Sequence, residues 1–269
     1  MDTPQDASRE QMWRALLTSE SPYEHLRRIH SRIPSAPRCQ LCAAPFGLPG
    51  SLLMSRIGRP RWAKNPKYCA GCFSMIRANH GGAEIECSLL FADVRGSTTM
   101  AEQMRPTEFN RLMGRFYDTA TGVLVAHDAI VDKFVGDEVI GIFIPALASQ
   151  AHARRAIDAA EALLRQTGHG DPKGPWVPVG AGVNTGTAYV GSVGEGLDAE
   201  LTALGDVVNT TARLASAAAM GEVLVTTDAA ASARMTADGL ERRSLTLKGK
   251  SEPTEVVVLT VRPGGGQAA

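Results

Sequence analysis

The sequence lacks a long hydrophobic run, a net charge, and any cysteine beyond residue 87. Its apolar runs are far shorter than the roughly 20 residues of a membrane-spanning helix, and the N-terminal stretch MDTPQDASRE is polar. Basic and acidic residues balance at 28 each, so no overall field favours nucleic acid or an anionic membrane. We therefore expect a soluble, cytoplasmic protein with no membrane partner and no nucleic-acid partner.

Four of the five cysteines form two C-x-x-C pairs, Cys39 with Cys42 and Cys69 with Cys72. Two such pairs can present four thiolates to one tetrahedral ion, so residues 39–80 are predicted to be a metal-binding module with structural Zn²⁺. The segment between the pairs is longer than the ~15–20 residues of the commonest four-cysteine zinc pattern. An iron–sulfur cluster, a redox pair and free thiols therefore stay open as alternatives. Cys87 lies in an apolar strand and is predicted to be a buried hydrophobe.

Residues 1–38 are predicted to be a helical N-terminal segment with helices at Ser8–Leu17 and Pro22–His30. The arginines and histidines of the second helix form either a solvated face or a contact with the cysteine module. The segment between the cysteine pairs is rich in proline, glycine and basic residues. It holds too few core residues to fold alone, so a bound metal would supply the missing stability.

From residue 84 onward the pattern is that of an α+β sandwich of the split-βαβ type. A strand over Glu84–Phe91 precedes Asp93 and a Gly-Ser-Thr turn that suits a phosphate group. The segment Ile130–Ile144 reads as a buried hairpin whose turn carries Lys133, Asp137 and Glu138. Charges at the edge of the buried core cost free energy unless a metal, ligand or partner neutralises them. The strand-end and turn carboxylates are expected side by side, as in two-metal sites.

The remaining elements of this region also follow from periodicity. Helices are predicted over Pro106–His127, Gln150–Gln166 and Asp206–Ala219, the last with Asp206 as its N-cap. A hairpin around Thr185-Gly186 is predicted to join strands Val179–Asn184 and Ala188–Val193. Further strands are predicted at Leu201–Leu204, Gly221–Thr226, Arg243–Leu247 and Thr254–Val261. The tail, residues 263–269, is predicted to be disordered.

Four motifs in this region carry a resemblance to a known family: FADVRGST at 91–98, KFVGDE at 133–138, LGDVVNTTARL at 204–214 and LKGKSEP at 247–253. Together they resemble the catalytic domain of class III nucleotidyl cyclases, over residues 84–262. The resemblance implies a ferredoxin-like βαββαβ fold and conversion of ATP to 3′,5′-cyclic AMP and pyrophosphate, an activity of signal transduction. It also implies a homodimer with two shared active sites, in each of which one subunit supplies the aspartates and the other supplies the lysine, threonine, asparagine and arginine.

The resemblance further implies a role for each matching residue. Asp93, Asp137 and the Val94 carbonyl match the ligands of two Mg²⁺ or Mn²⁺ ions per site. Lys133 and Thr202 match the purine-recognising pair, and Asn209 matches the residue that orients the ribose. Arg213 matches the residue that stabilises phosphate charge in the transition state. Lys248 matches the triphosphate-binding lysine, and Thr98 lies in the turn expected to approach phosphate.

The sequence departs from the family pattern at two positions. Ser97 stands where phenylalanine is common, so an apolar contact above the nucleotide is absent and a modest loss of activity is expected. Thr202 stands where aspartate is more usual, and a Lys/Thr pair resembles the subgroup that uses ATP and is often bicarbonate-responsive. The alternatives are a guanylyl cyclase and a catalytically weak nucleotide sensor. Regulation through the N-terminal module is expected, and Glu138 has no assigned role.

Overall fold

The computed structural model describes residues 4–18, 22–33, 36–62, 67–194 and 200–261. These residues form two compact units. One unit is drawn from Met1–Glu86, Ile144–Ser149 and Thr187–Leu204, and the other from Cys87–Phe143, Gln150–Gly186 and Gly205–Ala269. They are called the N-terminal unit and the second unit. No helix among the described residues is both long and apolar enough to cross a membrane.

The N-terminal unit combines short helices with the end of a long hairpin. Its helices are α1 (Pro4–Thr18), α2 (Pro22–His30), α3 (Gly50–Arg56) and α4 (Ala70–Ala78). Helix α2 has the predicted bounds, whereas α1 is longer than predicted and α3 and α4 were not foreseen. Both α1 and α2 contact a one-turn helix, α7 (Pro145–Ala148), in the same unit.

The remaining elements are, in chain order, β1 (Gly81–Val94), α5 (Ser97–Gln103), α6 (Pro106–Ala126), β2 (Ile130–Val135), β3 (Glu138–Phe143), a 3-10 turn (Ser149–Ala151), α8 (His152–Gln166), β4 (Val179–Val193), β5 (Glu200–Leu204), α9 (Asp206–Ala217), β6 (Glu222–Thr226), α10 (Thr227–Ser232), β7 (Glu241–Leu245) and β8 (Thr254–Thr260). Strands pair in the order β2-β3-β1-β4-β6-β8-β7, and β5 pairs separately with the end of β4. The α+β prediction is confirmed. Its core is built from apolar strands flanked by the buried stripes of α6, α8 and α9.

The predicted hairpin at Ile130–Ile144 is present as β2 and β3, joined by a two-residue turn. Gly136 has a φ of +62°, a left-handed conformation that glycine adopts without steric cost. Ile142 and Phe143 are fully buried, and β3 pairs antiparallel with β1. The charged turn is therefore held beside the C-terminal end of β1.

Two local predictions were wrong. Residues 179–193 form one continuous strand, not a hairpin about Thr185-Gly186. Glycine serves there for close approach, since a side chain at Gly186 would meet Val207 Cγ2 at 3.3 Å. The second error concerns Asp206, which is the first helical residue of α9 while Gly205 is the N-cap. The Asp206 carboxylate instead forms an ion pair with Lys250, a partner 44 residues away.

Element ends differ from prediction by a few residues elsewhere. Strand β1 begins three residues before the predicted Glu84 and continues to Val94. Strand β7 ends at Leu245, two residues before its predicted end, and α8 starts after the short 3-10 turn. The predicted disordered tail lies outside the described residues. Cys87 is fully buried in β1, as predicted.

Candidate active site and metal centre

The two aspartates predicted to bind metal lie on neighbouring backbone segments. Asp93, near the end of β1, is the cross-strand partner of Glu138 on β3, and Asp137 directly precedes Glu138. The Val94 amide donates to the Asp137 carbonyl at 3.2 Å. The pairing of a central strand with the adjacent hairpin thus brings Asp93, Val94 and Asp137 together.

Three side chains that sequence reasoning did not assign hold this acidic turn. Arg95 forms an ion pair with Asp93, and its Nη1 donates to the Ser216 carbonyl at 2.8 Å. The Ser97 hydroxyl donates to Asp137 Oδ2, and the Tyr117 hydroxyl donates to the Gly136 carbonyl. From the sequence, Ser97 indicates only that the phenylalanine common at this position is absent. The position of Tyr117 on α6, beside the turn, could not be read from periodicity.

The electrostatics of the turn show an excess of negative charge. Burial raises the pKa of Glu138 to about 7, the Asp137 carboxylate adds to the rise, and Arg95 opposes it. Burial, followed by the charge of Asp137, also raises the pKa of Tyr117. Carboxylate and carbonyl oxygens crowded in this way are the hard donors that Mg²⁺ and Mn²⁺ prefer. The donor set therefore fits divalent cations.

A second cluster forms around the C-terminal half of α9. Arg213, on this helix, lies beside the turn that carries Lys248. A Cβ built on Gly249 in that turn would stand 3.4 Å from Nη2 of the Arg213 guanidinium. Gly249 has a φ of +78°, so the turn favours glycine for its conformation. Asn209 is exposed one turn earlier on the same helix. Its partner stripe of Val207, Thr211 and Leu214 is buried, as the periodicity predicted.

The other predicted site residues occupy separate positions. Thr98 is exposed in the first turn of α5. Thr202 is buried on β5, opposite Gly191 of β4. Lys133 belongs to β2 at a point where the pairing with β3 shifts register, and its side chain lies outside the described residues.

The four predicted metal-ligating cysteines converge in the N-terminal unit. Their sulfur atoms all lie within 4.8 Å of one another, and Cys42 Sγ is 3.6 Å from Cys69 Sγ. Tetrahedral zinc with Zn–S bonds of about 2.3 Å places its sulfurs roughly 3.8 Å apart. The Cys69 amide donates to Cys39 Sγ at 3.3 Å, a hydrogen bond that favours the thiolate. The cluster fits a thiophilic ion such as zinc.

The charge pattern around these thiols also suits a cation. Burial raises the pKa of Cys39 well above its usual value, whereas hydrogen bonding with Cys39 lowers the pKa of Cys42 and of Cys69, the latter to about 7. Four buried thiols therefore cannot all ionise unaided. Burial alone would lower the pKa of Arg59, but the adjacent thiolates raise it, which places a guanidinium beside the cluster.

Helices α1 and α2 are joined to the cysteine module by buried and partly buried polar contacts. His30 Nδ1 lies 2.7 Å from the Cys42 carbonyl, and Arg27 donates to the Gln40 carbonyl at 2.6 Å. Trp13 is fully buried, and its Nε1 donates to the Asn79 carbonyl at 3.0 Å. Of the two alternatives left open for α2, the structure therefore shows contact with the module.

An apolar cleft in the same unit extends from this module to strand β5. It is lined by side chains from α1, α4, α7 and β5, among them Trp13, Leu17, Ile76, Leu147 and Leu201. Leu201 is 2% exposed and directly precedes Thr202. The residue proposed to read the purine is therefore adjacent in sequence to one packed against the helical module.

The sheet order, the flanking helices and the acidic turn define an α+β domain of the nucleotidyl cyclase type. The sequence pattern of the "Adenylate and Guanylate cyclase catalytic domain" family matches residues 83–260. The chain belongs to this family. Its fold matches the crystal structure of the guanylyl cyclase Cya2 with a TM-score of 0.60, at 24% identity over 68% of this chain and 95% of that one. The adenylyl cyclase CyaB from P. aeruginosa gives a TM-score of 0.57, at 25% identity over 68% and 98%.

Curated relatives include two named adenylate cyclases. Adenylate cyclase 1 of Rhizobium meliloti is 31% identical over 151 residues, 52% of this chain and 22% of that protein. The adenylate cyclase of Anabaena cylindrica is 30% identical over 134 residues, 47% and 26% respectively. The chain spans only 22% to 35% of the length of the first curated relatives it matches.

Proposed function

We propose that this protein is an adenylyl cyclase that converts ATP to 3′,5′-cyclic AMP and pyrophosphate at two sites shared across a homodimer. The main support is the acidic turn, where Asp93, Val94 and Asp137 converge while burial raises the pKa of the adjacent Glu138. That concentration of oxygen donors suits the cations that accompany a triphosphate. Mg²⁺ or Mn²⁺ bound there would neutralise phosphate charge and lower the pKa of the attacking 3′-hydroxyl.

The chain's own residues account for orientation and charge. Asp93 and Asp137 hold the cations, and the Val94 carbonyl adds a ligand. Arg213 donates to phosphate oxygens where negative charge develops, and removal of such a donor typically costs ~10²–10³ in rate. Lys248, in the turn beside Arg213, binds the triphosphate, while Thr98 approaches it from α5. Asn209 orients the ribose so that the 3′-oxygen faces the α-phosphorus in line.

ATP is the proposed nucleotide because of Lys133 and Thr202. A threonine hydroxyl can accept from the adenine amino group, and a lysine can donate to a ring nitrogen. The names of the two relatives above, both adenylate cyclases, support the same choice. Guanylyl cyclase activity is tested by giving the purified protein GTP in place of ATP. GTP turnover exceeding ATP turnover would refute the assignment.

The homodimer is tested by complementation between two inactive variants. Asp137→Ala and Arg213→Ala should each lose nearly all cyclic AMP formation with Mg²⁺ or Mn²⁺. A mixture of the two should recover roughly a quarter of wild-type activity, because half of the dimers are mixed and each holds one intact site. No recovery on mixing would contradict shared sites. ATP binding without product from the wild type would instead support a nucleotide sensor.

We also propose that the cysteine module holds structural Zn²⁺ and regulates the cyclase through β5. Support comes from the contact of Leu201 with the apolar cleft, one residue before Thr202. A cytoplasmic location suits both parts, since ATP is available there and thiols stay reduced. Loss of the ion should loosen the packing beneath β5 and raise the KM for ATP more than it lowers kcat.

The experiment compares Cys39→Ser/Cys42→Ser with Cys87→Ser. All three cysteines are buried, but only the first two belong to the cluster. The double variant should lose bound zinc by elemental analysis and show the higher KM, whereas the Cys87 variant keeps the zinc. Equal zinc content in both would refute the metal assignment. Zinc loss without a change in KM would refute the regulatory link.

A further inference from the structure

The balanced total charge of the chain conceals a strongly basic segment. Between Glu24 and Glu84 the sequence contains eight arginines and two lysines but no aspartate or glutamate. Because the whole chain has 28 residues of each sign, the remainder carries a net charge of −10. Four thiolates with one divalent ion would reduce the segment to about +8. Such an asymmetry indicates an anionic partner for the cysteine module.

The same segment exposes a compact set of aliphatic side chains on and around α3. Leu48 is 74% exposed, Leu52 57%, Leu53 50% and Ile57 54%. Leu52 and Leu53 lie on α3, whereas Leu48 directly precedes the N-cap Pro49 and Ile57 is the C-cap residue. These four residues are called the aliphatic patch below. Contiguous exposed apolar side chains of this kind mark an interaction site.

The opposite face of α3 fixes the helix to its module. Met54 is 2% exposed, and Gly50 is buried so closely that an added Cβ would stand 2.6 Å from Pro45 Cγ. The helix therefore cannot turn its aliphatic patch inward without breaking this packing. Side chains half or more exposed on a fixed helix project outward, which suits insertion into a soft apolar layer.

We propose that the aliphatic patch inserts into the surface of an anionic lipid bilayer, with Arg56 and the surrounding basic segment at the headgroups. Leucine and isoleucine beside arginine are the side chains that bind such interfaces. Nucleic acid would satisfy the charge but leave the aliphatic side chains in water. An isologous contact with a second copy would place two strongly basic segments against each other. A lipid surface, unlike these two, satisfies both the charge and the apolar area.

The test is co-sedimentation of the full chain with vesicles of phosphatidylcholine alone or mixed with phosphatidylglycerol. Wild type should bind the mixed vesicles and release partly as salt is raised. Leu52→Ser/Leu53→Ser should weaken binding at least about tenfold, because two leucines no longer leave water. Arg56→Gln should weaken binding about fivefold, the effect of one basic residue near an anionic surface.

Matched controls lie in the second unit. Met220→Ser alters a side chain that is 57% exposed, as Leu52 is, and should leave binding unchanged. Arg111→Gln removes an exposed arginine from α6 and should do the same. Equal zinc content and circular dichroism in all variants exclude misfolding as the cause of any loss.

Three outcomes would overturn the proposal. The first is absence of wild-type binding to the mixed vesicles, and the second is binding that the leucine double variant does not weaken. The third is preferential binding of duplex DNA that displaces the vesicles. A double variant that changes the oligomeric state in lipid-free buffer, with no vesicle binding by wild type, would instead assign the patch to a second copy.

Discussion

Removal of the Asn184 side chain is predicted to destabilise the second unit strongly. It is buried at the middle of β4, and its Oδ1 accepts from the Thr185 amide and the Thr226 hydroxyl, both at 2.9 Å. Its Nδ2 donates to the Val207 carbonyl at 3.4 Å, in the first turn of α9. One amide therefore joins β4, the end of β6 and the helix that carries Asn209 and Arg213.

The magnitude follows from the donors that Asn184→Ala would strand. The Thr185 amide cannot reorient, and a buried unpaired donor costs about 1–3 kcal/mol. The Thr226 hydroxyl can rotate but already accepts from the Ala229 amide as the N-cap of α10, so it loses part of its bonding. We expect the free energy of unfolding to fall by about 2–4 kcal/mol.

Urea unfolding monitored by circular dichroism measures this change, with Asn110→Ala as the control. Asn110 is exposed on α6 and should change stability by less than about 0.5 kcal/mol. Asn184→Asp keeps the acceptor oxygen but loses the amide donor to Val207, and it buries a charge unless the carboxyl is protonated. Its free energy of unfolding should therefore lie between those of wild type and Asn184→Ala only at low pH. A loss for Asn184→Ala no larger than that of the control would refute the bridging role.

Two further predictions test other packing contacts. His169 Nε2 accepts from the Val179 amide at 3.0 Å, and burial lowers the pKa of His169. Its contribution to stability is therefore full above about pH 6.5, the ordinary pKa of histidine, and is lost as the pH falls through the lowered value. His169→Gln should flatten this pH dependence of the free energy of unfolding. Gly182→Ala should lower the free energy of unfolding by over about 2 kcal/mol, since its Cβ would stand 2.6 Å from the Ala215 amide nitrogen. Gly114→Ala has open space around its Cβ and should raise the free energy of unfolding by about 0.5–1 kcal/mol in the same assay, because alanine favours helix α6.

The local sequence pattern predicted those helices and strands whose bounds depend on residues nearby in the sequence. The hairpin at Ile130–Ile144 and helix α2 were predicted from apolar runs, a Gly-Asp turn and a proline start. The continuous strand over 179–193 was missed because glycine in a strand has two meanings. It can mark a turn or a close approach, and only the position of α9 against Gly186 decides between them.

In the candidate site, too, the local sequence pattern predicts some contacts, while others depend on residues distant in the sequence. The adjacency of Asp93 and Asp137 was predictable, because a strand end and the turn of its neighbouring hairpin meet at one edge of a sheet. The contacts of Arg95 and Tyr117 were not, since their partners at Ser216 and Gly136 are distant in sequence. The same holds for Asp206, which pairs with Lys250, 44 residues away, while Gly205 is the N-cap of α9.

Ser97 shows how a departure from a family pattern can be read once contacts are known. The sequence indicated only a lost apolar contact where phenylalanine is common. In the structure the Ser97 hydroxyl donates to Asp137 Oδ2, while Arg95 pairs with Asp93. Asp93 and Asp137 are thus each oriented by a side chain within the four residues after Asp93. Because phenylalanine has no donor, the residue common in the family would restore the apolar contact but remove this hydrogen bond from Asp137.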